Sequence, residues 1–155
     1  MLETFHWIDI GMQDLPHLYT VNATATQDGY VAVKADDLSE IVTAPPAEFG
    51  GPGDKWSPES LLVASVADCF ILTFRAVSRA SKLEWSDITC TAEGKLERIE
   101  RITQFTEMTV KVKLIVPEGT DIAKAERLLH KSEEACLITN SLNASCHLEA
   151  EVEIA

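Results

Sequence analysis

Basic residues are scarce in this 155-residue chain. Lysine and arginine together number 13 against 25 aspartates and glutamates, so the formal net charge is −12 at pH 7. No basic stripe offsets this charge, and a surface of this sign repels nucleic acid and anionic membranes. We therefore expect neither nucleic acid nor a membrane among the partners of this protein.

Long apolar runs are also missing. No stretch approaches the roughly 18 consecutive apolar residues that identify a membrane-spanning helix. The first residues, MLETFHWIDI, lack the basic start and the apolar run of a secretory signal. These two absences predict a cytoplasmic protein, in which thiols stay reduced.

Closely spaced metal ligands are absent as well. The four cysteines share no C-x-x-C spacing and lie at Cys69, Cys90, Cys136 and Cys146. The four histidines do not cluster with them in the sequence. Structural zinc sites take their ligands at short, regular spacings, so the sequence predicts no metal site.

The composition favours one globular domain over residues 1–155. Hydrophobic residues make up 46% of the chain and charged residues 25%, a balance that argues against disorder. A domain of this size buries roughly 70% of the surface that its unfolded chain exposes. It can therefore form a core without disulfides or metals.

The N-terminal third predicts short strands around a hairpin. Residues 18–26 and 30–35 flank the turn at Asp28-Gly29, a strong hairpin signal, and residues 39–44 form a plausible third strand. Residues 45–58 are rich in proline and glycine, which indicates a loop.

A long apolar helix is predicted next. Ser57 suits the N-cap, and Pro58 suits the first helical position because its missing N–H would be unpaired there. Apolar residues occur on nearly every face as far as Ala80, a pattern typical of a central buried helix. Cys69 lies on this helix.

The remaining elements complete an α+β pattern. We predict long strands at 87–97 and 105–116, a second helix at 121–139 capped by Thr120, and a last strand at 146–155. The order βββαββαβ indicates helices packed on an antiparallel-rich sheet.

The cysteines divide into two kinds. Cys90 and Cys146 fall on the inward-facing positions of their strands, where core packing is the expected role. Cys69 and Cys136 lie on different helices that must pack on the same sheet. Two such cysteines can form a disulfide if their Cα atoms come within about 7 Å, but the sequence leaves open whether they do.

The segment SPESLLVASVADCF, residues 57–70, resembles the first-cysteine motif of the OsmC/Ohr family, the osmotically inducible protein C and organic hydroperoxide resistance proteins. TATQDG resembles the first hairpin of the family, FGGPGDKWSPE its glycine-rich loop, and EEACLITNSL its second-cysteine segment. The resemblance covers residues 17–155 and leaves residues 1–16 as an N-terminal extension of the single domain.

The resemblance implies an OsmC-like fold, an intertwined homodimer and a thiol peroxidase that acts on organic or lipid hydroperoxides. By this analogy Cys69 attacks the peroxide and becomes a sulfenic acid, and Cys136 resolves it as a disulfide. An external dithiol then reduces the disulfide, and no bound cofactor is implied. Glu59 is the motif glutamate that holds an activating arginine in the hydroperoxide resistance branch.

This sequence departs from the family pattern at two places, and the position of Glu59 poses a separate geometric problem. The hairpin position of the activating arginine is Gln27, so activation of the thiol is either weaker or comes from another group. Among the cations Lys55, Arg75 and Arg79, Lys55 in the mobile loop before the helix is the candidate. Leu137 replaces the proline that usually follows the second cysteine. On a straight helix Glu59 would also lie about 15 Å from Cys69, which implies sites built from two chains.

Two alternatives remain open at this point. The chain could be an OsmC-like dimer that binds a small ligand in an apolar interface pocket and has lost efficient peroxidase chemistry. It could also be a redox sensor that oxidises once and passes the signal to a partner. Gln27 and Leu137 motivate the binding alternative.

Overall fold

The computed structural model describes residues 12–155, which form two three-stranded sheets and three α-helices. The predicted extension at residues 1–16 therefore falls largely outside the described residues. The elements are, in chain order, β1 (Asn22–Thr24), β2 (Val31–Lys34), β3 (Ile41–Thr43), a 3-10 turn (Ala47–Phe49), α1 (Pro58–Ala80), β4 (Asp87–Ile99), β5 (Ile102–Val116), α2 (Ile122–Ala135), α3 (Leu137–Asn140) and β6 (Ser145–Ile154).

The predicted α+β order is confirmed, with one short helix added. The first three strands form a sheet in the order β1-β2-β3 in which both pairs are antiparallel. The larger sheet has the order β4-β5-β6, with β4 and β5 antiparallel but β5 and β6 parallel. The sheets are thus antiparallel-rich, and the parallel pair follows because α2 and α3 cross over between β5 and β6.

The start of α1 follows the prediction. Ser57 is the N-cap, and its side-chain oxygen accepts a hydrogen bond from the Ser60 amide at 3.1 Å. The Ser60 hydroxyl accepts in return from the Ser57 amide at 2.9 Å. Pro58 occupies the first helical turn. Two otherwise unpaired backbone donors are satisfied in this way, which fixes where the helix begins.

The predicted single helix over 121–139 is wrong at its end. The second helix, α2, stops at Ala135, and Cys136 has an extended backbone (φ −67°, ψ 108°) before the short helix α3 begins. The cap is Asp121 rather than Thr120, since its carboxylate accepts from the Lys124 amide at 3.0 Å.

The core lies between α1, α2 and the inner face of the β4–β6 sheet. From α1, the fully buried large side chains are Val66, Phe70 and Phe74. The central strand β5 supplies the alternating residues Met108, Val110, Val112, Leu114 and Val116. This alternation gives β5 one face in the core, as its sequence predicts.

The other faces of α1 are less covered within one chain. Leu72 is 45% exposed although its neighbours in sequence are apolar. Length and composition alone would let α1 cross a membrane. It instead packs against the sheet and α2 through a buried stripe, as a core helix does.

The N-terminal sheet contributes little to this core. Of residues 12–57, the buried ones are Thr43, Ala44 and Ser57. The sheet joins the start of α1 through a hydrogen bond from the Ala44 amide to the Trp56 carbonyl at 3.0 Å. Several of its large apolar side chains therefore face outward.

The loop between β3 and α1 turns tightly on Gly51. The Gly51 amide donates to the Pro46 carbonyl at 3.0 Å. A Cβ atom on Gly51 would lie 1.7 Å from the Pro45 carbonyl oxygen, so no other residue fits this backbone. This close approach brings the polypeptide to the N-cap of α1.

Candidate active site

Cys69 lies in the middle of α1 and is half-buried. Its Sγ is 3.8 Å from the Oγ1 of Thr73, one helical turn further along the same face. Both side chains point to the side of α1 where the α2–α3 connection passes. The sulfur is therefore reached by groups from two segments of the chain.

Cys136 occupies the break between α2 and α3 and is 1% exposed. Its thiol lies close enough to Cys69 to raise the pKa of that thiol through a hydrogen bond and through charge. Both sulfurs are free. The structure thus brings together the two cysteines that the sequence left on separate helices.

Several groups act on the ionisation of Cys69. Burial is the largest influence and raises the pKa of the thiol, because a thiolate is poorly solvated there. A hydrogen bond from the Ile138 amide lowers the pKa, Cys136 raises it, and the Thr73 hydroxyl lowers it. No cation takes part among the described residues, and the resulting pKa is above the ordinary value for cysteine.

Cys90 and Cys146 lie on the inward face of the large sheet, half-buried against the core, as predicted. Burial raises the pKa of Cys90 to about 11. Burial also raises the pKa of Cys146, with smaller contributions from the charges of Glu133 and Cys136. Unlike Cys69, neither thiol receives from the described residues a hydrogen bond that lowers its pKa, which suits a packing role.

Glu59 lies in the first turn of α1, and its Oε2 atom is buried with no hydrogen-bond partner among the described residues. The helix runs unbroken from Pro58 to Ala80, so Glu59 and Cys69 are about 15 Å apart along its axis. One chain alone does not bring this carboxylate to the cysteine pair.

Two apolar cavities meet at Glu59. One has a volume of about 410 Å³ and is lined by Val63, Gly94 and Phe105 among others. The other, about 540 Å³, lies against the small sheet and includes Val33. Burying a carboxylate oxygen without a hydrogen bond is unfavourable. The Glu59 oxygen between these two apolar spaces therefore needs a donor or a cation from outside the described residues.

The two candidate contacts from the sequence lie elsewhere. Gln27 is exposed in the turn between β1 and β2. The Lys55 Nζ atom is 5.4 Å from the centre of the Tyr30 ring and 4.0 Å from the Asp54 carboxylate. Within the described chain, neither residue contacts Cys69 or Glu59.

Sequence reasoning missed two groups at the cysteine pair. Thr73 could have been found, because residues four apart on a helix are neighbours. The Ile138 amide could not, because it becomes available only where the helix breaks at Cys136. Over residues 12–155, no group of three His, Cys, Asp or Glu side chains is arranged to hold a metal ion.

Known proteins resemble this chain in sequence and in fold. A family model described as OsmC-like protein matches residues 51–151. The uncharacterised protein YmaD of Bacillus subtilis is 25% identical over 112 residues, which cover 70% of this chain and 75% of YmaD.

Two solved structures extend the likeness. An OsmC-like protein of unknown function from Vibrio cholerae superposes with a TM-score of 0.80 at 17% identity, covering 88% of this chain and 100% of that chain. An organic hydroperoxide resistance protein OsmC from Legionella pneumophila gives a TM-score of 0.70 at 27% identity, covering 89% of this chain and 99% of that chain. The first of these likenesses concerns the fold alone.

Proposed function

Because the match over residues 51–151 makes this chain a member of the OsmC-like protein family, we propose that it is a cysteine-based peroxidase that reduces organic hydroperoxides. The observation that carries the proposal is the approach of Cys136 to Cys69. The name of the Legionella relative, an organic hydroperoxide resistance protein, supports the same substrate class.

In the first step the Cys69 thiolate attacks the terminal oxygen of the hydroperoxide. An S–O bond forms, the O–O bond breaks, and the departing alkoxide takes a proton from water to become an alcohol. Cys69 becomes a sulfenic acid, oxidised by two electrons. Apolar surroundings on α1 favour an organic hydroperoxide over hydrogen peroxide, because an apolar substituent gains from leaving water.

In the second step the Cys136 sulfur attacks the sulfenic sulfur of Cys69. An S–S bond forms, the S–O bond breaks, and water leaves, which protects Cys69 from further oxidation. An external dithiol restores both thiols by two thiol–disulfide exchanges and is itself oxidised to a disulfide. The extended backbone at Cys136 suits this step, since it is not held within a regular helix.

We also propose that the working unit is an intertwined homodimer in the cytoplasm. Large apolar side chains are exposed on the small sheet, the following loop and α1: Val21, Tyr30, Ile41, Val42, Phe49, Trp56 and Leu72. A second copy would cover such a surface and could bring its own groups to Glu59. Light scattering of the purified protein should give a mass of two chains.

The activating cation is part of the same proposal. Gln27 brings no charge, and Lys55 is exposed beside Asp54 and Tyr30 within its own chain. In the dimer, Lys55 from one chain is our candidate for the partner of the buried Glu59 carboxylate. Lys55→Met should then reduce turnover without changing the fold.

The test of the peroxidase is consumption of cumene hydroperoxide in the presence of dithiothreitol. We expect turnover by the wild-type protein and none by Cys69→Ser, whereas Cys90→Ser should keep most of its activity because Cys90 lies outside the pair. A wild-type protein that consumes no hydroperoxide with several dithiols would contradict the proposal.

A second candidate function is binding of a small ligand. It is favoured by the two apolar cavities beside the unpaired Glu59 oxygen. Native mass spectrometry should then detect a retained molecule, and Val63→Trp, which fills the smaller cavity, should release it. Rapid single oxidation of Cys69 without turnover would instead indicate the redox sensor.

A further inference from the structure

The hydroxyl groups of α1 do not all behave alike. The Ser65 hydroxyl donates to the Leu62 carbonyl at 2.6 Å, and the Ser78 hydroxyl donates to the Arg75 carbonyl at 3.2 Å. Such bonds to the preceding turn are the usual arrangement for a hydroxyl in a helix. The contact made by the Thr73 hydroxyl is different, because it is with the sulfur of Cys69 at 3.8 Å.

We infer that Thr73 donates a hydrogen bond to the Cys69 thiolate and, together with the Ile138 amide, stabilises it from within the same chain. A thiol and a hydroxyl can each donate, but a thiolate only accepts. Once Cys69 is ionised, the Thr73 O–H must therefore point toward the sulfur. This inference rests on the proposed function, in which the thiolate is the attacking form.

The two donors approach the sulfur from different segments. Thr73 comes from α1 itself, one turn beyond Cys69. The Ile138 amide comes from the start of α3, just after the break at Cys136. Hydrogen bonds to an ionised acceptor are stronger than those between neutral groups, so two such donors favour the thiolate appreciably.

The charges that face Cys69 are few. Cys136, from the α2–α3 connection, is the neighbour whose charge raises the pKa of the Cys69 thiol. Asp68 and Arg75, on α1 itself, are exposed and are not among the groups that shift this pKa. Among the described residues, the groups that stabilise the Cys69 thiolate are thus neutral donors. We therefore expect the fraction of ionised Cys69 to keep rising with pH well above neutral.

The experiment measures alkylation of Cys69 by iodoacetamide from about pH 6 to about pH 10, with peptide mapping to separate the four thiols. Thr73→Val keeps the shape of the side chain and removes the donor. We expect Cys69 in this variant to react about three- to tenfold more slowly at neutral pH, with its profile displaced to higher pH.

Three further variants make the result specific. Thr73→Ala also removes the hydroxyl and leaves a smaller side chain. It should displace the pH profile of alkylation as Thr73→Val does. Thr73→Ser keeps a hydroxyl and should restore most of the rate. Ser65→Ala removes a hydroxyl one turn before Cys69 that donates to a carbonyl, and it should leave the profile unchanged.

The outcomes separate this inference from the proposed function. If Thr73→Val and Thr73→Ala leave the profile where it is in the wild-type protein, the inference is wrong even if the protein consumes hydroperoxide. If the profile moves as expected but the wild-type protein consumes no hydroperoxide, the proposed function fails and the assignment of Thr73 stands.

Discussion

Residues 58–155 bury a continuous apolar core, whereas residues 12–57 contribute almost no buried side chains to it. The first region contains all three α-helices, the three strands of the large sheet and all four cysteines. The second contains a small sheet in which Thr43 is buried, followed by the buried Ala44. The two regions are joined by the loop that closes on Gly51.

The two regions differ in what one chain can complete. The cysteine pair is complete within one chain, whereas the surroundings of Glu59 are not. The sulfur pair of Cys69 and Cys136 is assembled entirely within the first region. Glu59 lies at the boundary, and its buried oxygen has no partner among the described residues. In the proposed homodimer, the exposed sheet of one chain covers the other, and Lys55 in the loop after this sheet is the candidate partner of Glu59.

The largest expected effect is on the core of the first region. Phe74 is fully buried and contacts Trp85 with ring centres 5.6 Å apart. Phe74→Ala should lower the free energy of unfolding by about 3–5 kcal/mol, because it removes buried apolar surface and leaves a cavity. Urea denaturation measures this loss.

Phe49→Ala is the matched change in the second region, where the ring is 60% exposed. Within one chain it should cost less than about 1 kcal/mol. If the homodimer covers Phe49, the cost should grow and depend on protein concentration. Equal, concentration-independent losses for Phe49→Ala and Phe74→Ala would contradict the distinction between the regions.

The loop between the regions should be the next most sensitive. Gly51→Ala places a Cβ atom against the Pro45 carbonyl, so the loop must move, and we expect a loss of about 2 kcal/mol or more. Gly29→Ala meets open space and strains only a left-handed turn (φ +96°), which costs about 1 kcal/mol. Thermal unfolding compares the two, and a larger loss at Gly29 would be unexpected.

Alkaline pH should lower the free energy of unfolding through residues 58–155, which contain the cysteines. The pKa of Cys90 is raised to about 11 in the folded chain, whereas an unfolded cysteine ionises at about 8.5. The unfolded chain therefore loses this proton first, and the stability from Cys90 is complete below about pH 8.5 and is lost as the pH rises through 11.

Cys90→Ala should reduce this alkaline loss, and urea midpoints of both proteins between about pH 8 and about pH 11 measure it. The other cysteines with raised pKa values keep part of the effect in the variant. If the midpoints of the two proteins fall in parallel, Cys90 is not the group responsible.

The smallest effect is expected on the outer face of the large sheet. The Lys113 Nζ atom is 2.9 Å from the Glu153 carboxylate, and both side chains are nearly half exposed. Solvent screens such exposed pairs, so Lys113→Met should barely change the urea midpoint, and added salt should weaken the difference further. A loss as large as that of Phe74→Ala would mean that the outer face is covered.

The sequence was most informative where local chemistry decides the structure. Ser57 and Pro58 mark the start of α1 because capping and proline geometry are local properties. The alternation in β5 and β6 predicted their inward faces for the same reason. The predicted order of helices and strands along the chain, together with the family resemblance, also led to the correct fold.

The break between α2 and α3 at Cys136 could not be predicted from such local signals. No glycine or proline stands between α2 and α3, so apolar periodicity continues across the break. In the structure the Asn140 side-chain amide donates to the Glu134 carbonyl at 3.1 Å, and the Thr139 hydroxyl donates to the Cys136 carbonyl at 3.1 Å. The Asn140 side chain thus satisfies the Glu134 carbonyl, which in a continuous helix would accept from the Ile138 amide, whereas the Cys136 carbonyl still accepts from the Asn140 amide.

The role of Glu59 was the least accessible to sequence reasoning. The motif identified the residue, and helix geometry correctly separated it from Cys69 in one chain. We propose that a second chain supplies the partner of its buried oxygen, since Gln27 and Lys55 of the same chain lie away from it in the described structure.

The most direct test of the account is a count of thiols by intact mass and peptide mapping, before and after one equivalent of cumene hydroperoxide. We predict a disulfide between Cys69 and Cys136, with Cys90 and Cys146 still free. An unchanged mass, or oxidation scattered over all four cysteines, would contradict the claim that this pair is the reactive centre.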